Sequence, residues 1–456
     1  MSGSPARAIR RLAPAELTTA AAGLLATGHR LALVTTGAGA RADAGADAGA
    51  GADAGLVPSR AVYLFLAPTP AESVELQVAL EPGARLPDLG PLCPAAGRLT
   101  HALRDPDAPV GARSLLPRQP QGPATAGGPG GLAVPRTRPL RNRELAEALT
   151  LVDRLSGDSP VGHALAFCRA VEDALGLYVP DDARRMRAVL LELERLHHHL
   201  ADLATLCWLT DLRSAHDRVR QLAALLQRTN RAMTGRRTLA GSVLLAGAAV
   251  RRVVDAEALV AVGREIGEIV EATLRRPAVA DRITGTATLT TAQARDLGTL
   301  GVVARASGVD IDARRDHPTD VLSEFGLQFG DILAVPVQTA GDVEARFRQR
   351  RTEIAASIAA LDTLVRTINP GLVTNWPTAD YRRPDVEGVS GIGISEGWRG
   401  TIVHRVEIDT DLRLGDVRAV DPYVLNASAL ELILRDTPAA EHALTRTSFG
   451  SPTQPP

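Results

Sequence analysis

The sequence predicts an α+β chain, with a small N-terminal α/β domain followed by a mainly helical domain that carries a small β-sheet. Three observations carry this. Short β-rich segments lie before residue 116, long helical periods of apolar residues follow Arg141, and β character returns at 400–420. A run dense in Pro and Gly, 117–139, separates the first two regions and reads as a linker. The expected division is therefore 1–116, 117–139 and 140–456.

In the first region, 30–35 (RLALVT), 62–67 (VYLFLA) and 73–80 (SVELQVAL) read as strands, and the last two alternate as half-buried strands do. The insert ARADAGADAGAGADAG, within about 38–56, has too little apolar surface to fold and reads as a disordered loop. In 184–204, Met186, Val189, Leu190, Leu193, Leu196, Leu200 and Leu203 recur every three or four residues, which marks one buried helix face. Asp181 or Asp182, just after Pro180, suits its N-cap and first turn. Further helices are expected at 161–176, 211–233, 253–275 and 342–367, the last opening with Asp342. TIVHRVEI and LRLGDVRAV form an expected hairpin with Asp409–Asp411 at its turn.

Composition narrows the function classes. Of 456 residues, 45% are hydrophobic and 23% charged, which excludes global disorder, and 3% aromatics leave a core of Ala, Leu and Val. The 51 basic residues are all arginine, and the formal net charge is −1 with both signs interspersed along most of the chain, unlike the concentrated basic face of nucleic-acid-binding proteins. Cys93, Cys168 and Cys207 form no CxxC pair, so no disulfide framework, zinc or iron–sulfur spacing is present and a reducing cytoplasm is expected. The start, MSGSPARAIRRLAPAEL, lacks the apolar core of a secretory signal. The longest apolar run, 239–250, is flanked by Arg236, Arg237, Arg251 and Arg252 and falls short of the about 20 residues a membrane span needs.

The stretch VDRLSGDSPVGHALAFCRAVEDALGLYVP, 152–180, is the most informative. It resembles the first metal-binding motif of the [NiFe]-hydrogenase large subunit, Arg-x-Cys-Gly-x-Cys-x-x-x-His. Arg154, Gly157 and His163 fall in register, with Ser156 and Ser159 at the two cysteine positions. Downstream, Glu192, Glu194, Arg195, His197 and His199 match the family's next helix. Arg305, Ser307, Gly308, Asp312 and Arg314 match its Gly-x-x-x-Arg-x-Ser-Gly segment. GDVEARFRQRRTEIAASI (341–358) and EGWRGTIVHRVEID (396–409) resemble its later Gly-Asp-x-x-Ala-Arg and Glu-x-x-Arg-Gly-x-x-x-His segments. The likeness spans roughly 140–435 and includes the complex I quinone-side large (D-type) subunit. In the first region, Pro94, Ala95, Ala96 and Asp105 resemble a segment of complex I's peripheral C-type subunit.

The resemblance implies a non-nickel subunit of a complex I-like or energy-converting-hydrogenase-related oxidoreductase, peripheral on the cytoplasmic side of the cell membrane. Serine hydroxyls are hard donors of high pKa and cannot replace the thiolates that hold nickel. No cysteine follows Cys207 to supply a second pair. No cofactor is expected on this chain. The implied partners are an iron–sulfur small subunit like the B-type component of complex I, carrying the cluster, and antiporter-like membrane subunits. Quinone is the implied alternative occupant of the cleft, although GGLAVP (130–135) runs almost directly into RNRELAEALTLVDRLSGD and leaves no room for the family's Gly-His-Phe-like loop.

Cleft candidates are His163, Arg154, Arg305, Asp312 and Arg314. His163 reads either as facing a reactant or as a buried histidine bonded to a backbone carbonyl. Arg305, Asp312 and Arg314 read as a cleft lining, a proton path or an internal ion-pair network. His197–His199 point in different directions on one helix and cannot chelate together. Glu194 and His198, one turn apart, make no site by themselves, and Cys168 reads as a core residue.

Overall fold

Strands β1 (Arg7–Leu12), β2 (Arg30–Ala38), β3 (Pro58–Leu66) and β4 (Ser73–Ala79) form a sheet in the order β1-β4-β3-β2, antiparallel except for the parallel β1–β4 pair. The structure is a computed structural model, and it describes residues 7–38, 58–68, 72–80, 86–101, 137–317, 337–376 and 388–451. The Ala/Asp/Gly-rich insert, Asp105 and nearly all of 117–139 fall outside these residues. The sequence pattern reveals β2 to β4 but not β1. Its RAIRRL has no fully buried residue, because it is an edge strand guarded by arginines.

Helices α1 (Leu17–Ala26) and α2 (Pro94–His101) seal the sheet. Leu17, Ala21, Leu24, Ala96 and Leu99 join an apolar cluster that also takes in Ile394, Val403, Val420 and Leu425 from far along the chain. The two regions thus share a core. Charged pairs cross the same junction: Arg405 reaches Glu75 at 3.3 Å, and Arg60 reaches Glu407 at 2.9 Å.

The second region begins with α3 (Leu145–Val152), α4 (Pro160–Leu175), α5 (Asp181–Leu209) and α6 (Arg213–Thr234). The hairpin β5 (Val243–Leu244) and β6 (Gly247–Val250) leads into α7 (Ala256–Leu274), α8 (Pro277–Ile283), α9 (Thr291–Asp296), α10 (Gly301–Ala306), α11 (Ala313–Asp316) and α12 (Val343–Val365). Strand β7 (Gly371–Thr374) pairs with β6. Then β8 (Val389–Gly397), β9 (Gly400–Ile408) and β10 (Leu414–Val420) form an antiparallel sheet, followed by α13 (Pro422–Asp436) and α14 (His442–Ser448). The expected helices lie within a few residues of their expected bounds, and Asp342 caps α12 by accepting from the Ala345 N–H at 2.7 Å. On α5 the N-cap position belongs to Pro180, and both Asp181 and Asp182 sit in the first turn, where they favour the positive helix end. The expected hairpin is β9–β10, its turn tied by Asp409 Oδ1 accepting from the backbone of Asp411 and Arg413.

Strand β8 is absent from the sequence expectations, because SGIGISEG is too glycine-rich to read as one. Those glycines have a packing reason. A Cβ at Gly391 or Gly393 would lie 2.0 or 1.8 Å from the carbonyl oxygen of Ala170 or Ala166, so α4 rests on β8 backbone to backbone. This contact seats α4, with His163, against the sheet. Among the described residues no helix is long and apolar enough to cross a membrane.

Candidate functional site

Two buried polar clusters meet at the end of β8 and its turn to β9, where Glu396 belongs to one and Arg399 to the other. The first is built around the start of α4. Ser156 donates to Asp158 Oδ1 at 2.8 Å, and both Asp158 oxygens accept from Arg399. Arg399 also donates through Nε to the Gly450 carbonyl at 2.7 Å, and its guanidinium lies 4.1 Å from the Trp398 ring centre. Trp398 Nε1 donates to the Asp158 carbonyl at 2.9 Å, and His198 stacks on the indole with centroids 4.8 Å apart. Burial would raise the Asp158 pKa, but the Arg399 hydrogen bonds and charge outweigh it and hold the carboxyl down to about 2.

Ser159 occupies the N-cap position of α4 yet makes no capping bond. Glu194 of α5 takes over, accepting from the Val161 and Gly162 N–H groups at 2.7 and 3.0 Å. Burial drives this carboxyl up to about 8 against the pull of those two donors.

His163, one turn into α4, is fully buried. Its Nε2 lies 3.0 Å from Asp421 Oδ2 and its Nδ1 lies 2.9 Å from His404 Nε2. It is thus a buried histidine, but its partners are side chains and not the backbone carbonyl. Asp421, which caps α13, is held below its ordinary value: burial raises it, and the His163 bond and the Arg399 charge lower it further. Burial and the neighbouring His163 push His404 well below the usual histidine range, so it is neutral. Both ring nitrogens of His163 are thus engaged by side chains, whereas His404 Nδ1 has no partner among the described residues.

The second cluster is an ion network between α5, α10, α11, α12 and β8. Arg305 donates to Glu353 at 2.8 Å and to Glu396 at 3.0 Å. Arg314 spans Asp312 and Glu192, and Arg195 donates to Glu192 at 3.1 Å and to the carbonyls of Glu396 and Gly397. Ser357 and His199 close it, at 2.6 Å on Glu192 and 2.9 Å on Glu353. Arg195, Arg305, Glu192, Glu353 and His199 are each 0% exposed, so every charge here depends on its partners. Burial opposes the charged forms, yet the arginines hold Glu192 and Asp312 below the carboxylate range and Glu353 well below it. Glu396 is the exception, raised by burial and by nearby Asp312.

The structure therefore brings Arg305, Asp312 and Arg314 together and sets His163 in a separate trio. Arg154 is exposed and joins neither cluster. The three histidines of α5 diverge: His198 stacks on Trp398, His199 bonds Glu353, and His197 sits edge-on to His198. Cys168 lies in the core, its thiol raised far by burial. The sequence reading reaches Glu396, Arg399 and His404 only as positions of the Glu-x-x-Arg-Gly-x-x-x-His segment, and it does not single out Glu353 or Asp421. A usable signal exists for Glu353: Gln349, Glu353 and Ser357 recur every fourth residue as a buried polar stripe within α12.

Comparison with known proteins finds relatives of this chain. Residues 138–240 match the family profile of nickel-dependent hydrogenase, and 232–390 match that of the respiratory-chain NADH dehydrogenase 49 Kd subunit. Between them the two matches run from 138 to 390, so over that stretch the chain is similar to the nickel-dependent hydrogenase and complex I 49 Kd families. It is 28% identical over 267 residues to formate hydrogenlyase subunit 5 of Escherichia coli (strain K12), covering 57% of this chain but only 44% of that protein. The carbon monoxide-induced hydrogenase of Rhodospirillum rubrum is 25% identical, with 64% of this chain and 80% of the relative covered. The D-type NADH-quinone oxidoreductase subunit of Deinococcus radiodurans is 30% identical over 51% of this chain and 58% of its own length. A chain of the membrane-bound sulfane sulfur reductase, an archaeal respiratory membrane complex, shares the fold with a TM-score of 0.60 at 19% identity, covering 68% of this chain and 84% of that one.

Nickel in this family requires soft sulfur donors, and the residues here do not fit it. Ser156 and Ser159, which the sequence resemblance sets against the first cysteine pair, offer only hydroxyls, and the adjacent Asp158 carboxylate is committed to Arg399. Among the described residues no group of three or more His, Cys, Asp or Glu side chains is arranged to hold a metal ion.

Proposed function

We propose that the chain is a non-nickel subunit of a membrane-associated complex I-like or energy-converting-hydrogenase-related oxidoreductase. It packs on an iron–sulfur small subunit at the cytoplasmic side of the membrane. There it couples electron transfer, with quinone as a candidate acceptor, to ion movement through antiporter-like membrane subunits. The N-terminal sheet, with Pro94, Ala95 and Ala96 opening α2, is on this reading a fused C-subunit-like module. The observation that supports the proposal is the Asp158–Arg399 pair with Trp398, which takes up Ser156, a residue that the resemblance sets against a nickel-binding cysteine. The names of the relatives, a formate hydrogenlyase component and D-type NADH-quinone oxidoreductase subunits, support the class.

The test is co-purification. A tagged copy extracted in mild detergent is expected to bring down an iron–sulfur protein, and repeated recovery as a lone chain refutes the proposal. The completeness of the buried pairing favours one second reading, a scaffold with no redox step of its own. On that reading His163→Asn leaves electron transfer by the assembled complex unchanged, and a several-fold loss excludes it.

A further inference from the structure

Charge is not spread evenly over this molecule. Residues 213–252 hold nine arginines and a single carboxylate, Asp217, a local charge of +8 in a chain whose formal net charge is −1. Arg218 is paired with Glu265, and Arg213 lies over the Trp208 ring. Six further exposed arginines, Arg228, Arg231, Arg236, Arg237, Arg251 and Arg252, form no ion pair among the described residues.

Arg231, Arg236, Arg237 and Arg251 converge through backbone structure, with Arg252 next in sequence and Arg228 one turn earlier on α6. Gly235 ends α6 in the left-handed region at φ 88°, its N–H bonded to the Arg231 carbonyl at 2.8 Å. Arg251, at the end of β6, donates its N–H to the Met233 carbonyl at 2.7 Å, and its guanidinium folds over Gly235, where a Cβ would come within 2.9 Å. Asn230 holds the Arg237 carbonyl at 3.3 Å. The end of α6 and the end of the β5–β6 hairpin thus form one corner crowded with cations. A helix C-terminus favours nearby positive charge, which accounts for Arg231 or Arg236 but not for six. Asp153, whose charge acts on Arg236, lies half-buried and outside ion-pair distance.

We infer that this corner is a docking surface for anionic phospholipid headgroups, a direct membrane contact beyond any made through partner subunits. Clusters of four to eight basic residues bind such surfaces, each contributing on the order of 1 kcal/mol near the charged plane. A keyed protein interface would call for aromatic anchors, and no Phe, Tyr or Trp occurs from 213 to 253. The exposed apolar residues beside the corner are aliphatic, Val253 at 38% and Leu372 at 67% opposite Ala249, while the exposed Trp208 lies at the other end of α6 under Arg213.

The test is sedimentation of the full-length chain with vesicles, either pure phosphatidylcholine or equal parts phosphatidylcholine and phosphatidylglycerol. Binding is expected only to the anionic vesicles, with release at about 1 M salt, where the screening length falls to about 3 Å. The variant R231Q/R236Q/R237Q/R251Q is expected to bind about a thousandfold more weakly. R10Q/R11Q/R295Q/R435Q removes the same charge from exposed positions elsewhere and should retain binding. Thermal melts of both variants check the fold, and the salt release of the unmodified chain stands independently of either. Absence of binding to anionic vesicles, an equal loss in both variants, or capture on immobilised polyglutamate without vesicle binding each overturns the inference. None of these outcomes bears on recovery of an iron–sulfur partner, so the two proposals fail separately.

Discussion

The pair Asp158–Arg399 and the network around Arg305 are only a few residues apart on β8 and its turn, yet they are different kinds of electrostatics. The first is a single ion pair whose carboxylate side chain is 31% exposed, supported by an indole and one carbonyl. The second is dry, with three arginines shared among four carboxylates and a histidine. A dry network cannot lose a member without stranding a charge, whereas an edge pair can be replaced piecemeal. On the function proposed above, that difference lets the framework persist through the second cluster while the nickel donors of the first are lost.

The largest effect is therefore expected in the network. Arg305→Met strands Glu353 and Glu396 and should cost about 3–5 kcal/mol in urea unfolding, a large share of the stability of an ordinary domain. A loss below about 1 kcal/mol would show that the network is not the frame. Arg399→Ala should cost less, about 2 kcal/mol, because water can reach Asp158 once the guanidinium is gone. Equal costs for the two would erase the contrast.

Acid titration separates the same two regions further. The Asp158 pKa lies at about 2, below the ordinary 3.8, because Arg399 stabilises the carboxylate against burial. Its contribution is present above about pH 4 and lost as pH falls towards 2. Asp158→Asn should remove that part of the acid sensitivity, on the order of 1–2 kcal/mol after discounting for exposure. Unfolding curves of the two proteins at pH 5 and pH 2.5 check it, and parallel losses would contradict the assignment. Arg154→Gln should be the mildest change, within about 0.5 kcal/mol, since this motif arginine is exposed.

These regions also differ in how far the sequence reveals them. The helical period of α5, the β9–β10 hairpin and the α12 cap are local patterns, and each is readable from neighbouring residues. The serines at 156 and 159 are legible for the same reason. His163 is legible as a motif position, but its pairing is not, because His404 and Asp421 lie 241 and 258 residues away. Strand β8 hides behind Gly391 and Gly393, which look like breakers until α4 is placed on them. The basic corner is written in the sequence at 213–252, but averaging charge over the whole chain conceals it.

The central claim is that side chains have taken the place of the metal. Elemental analysis of the tagged chain, purified in its complex from cells supplied with nickel, tests this most directly. Iron is expected to co-purify with the partner, with nickel far below one atom per chain. One nickel per chain, retained through chelator washes, would contradict the account.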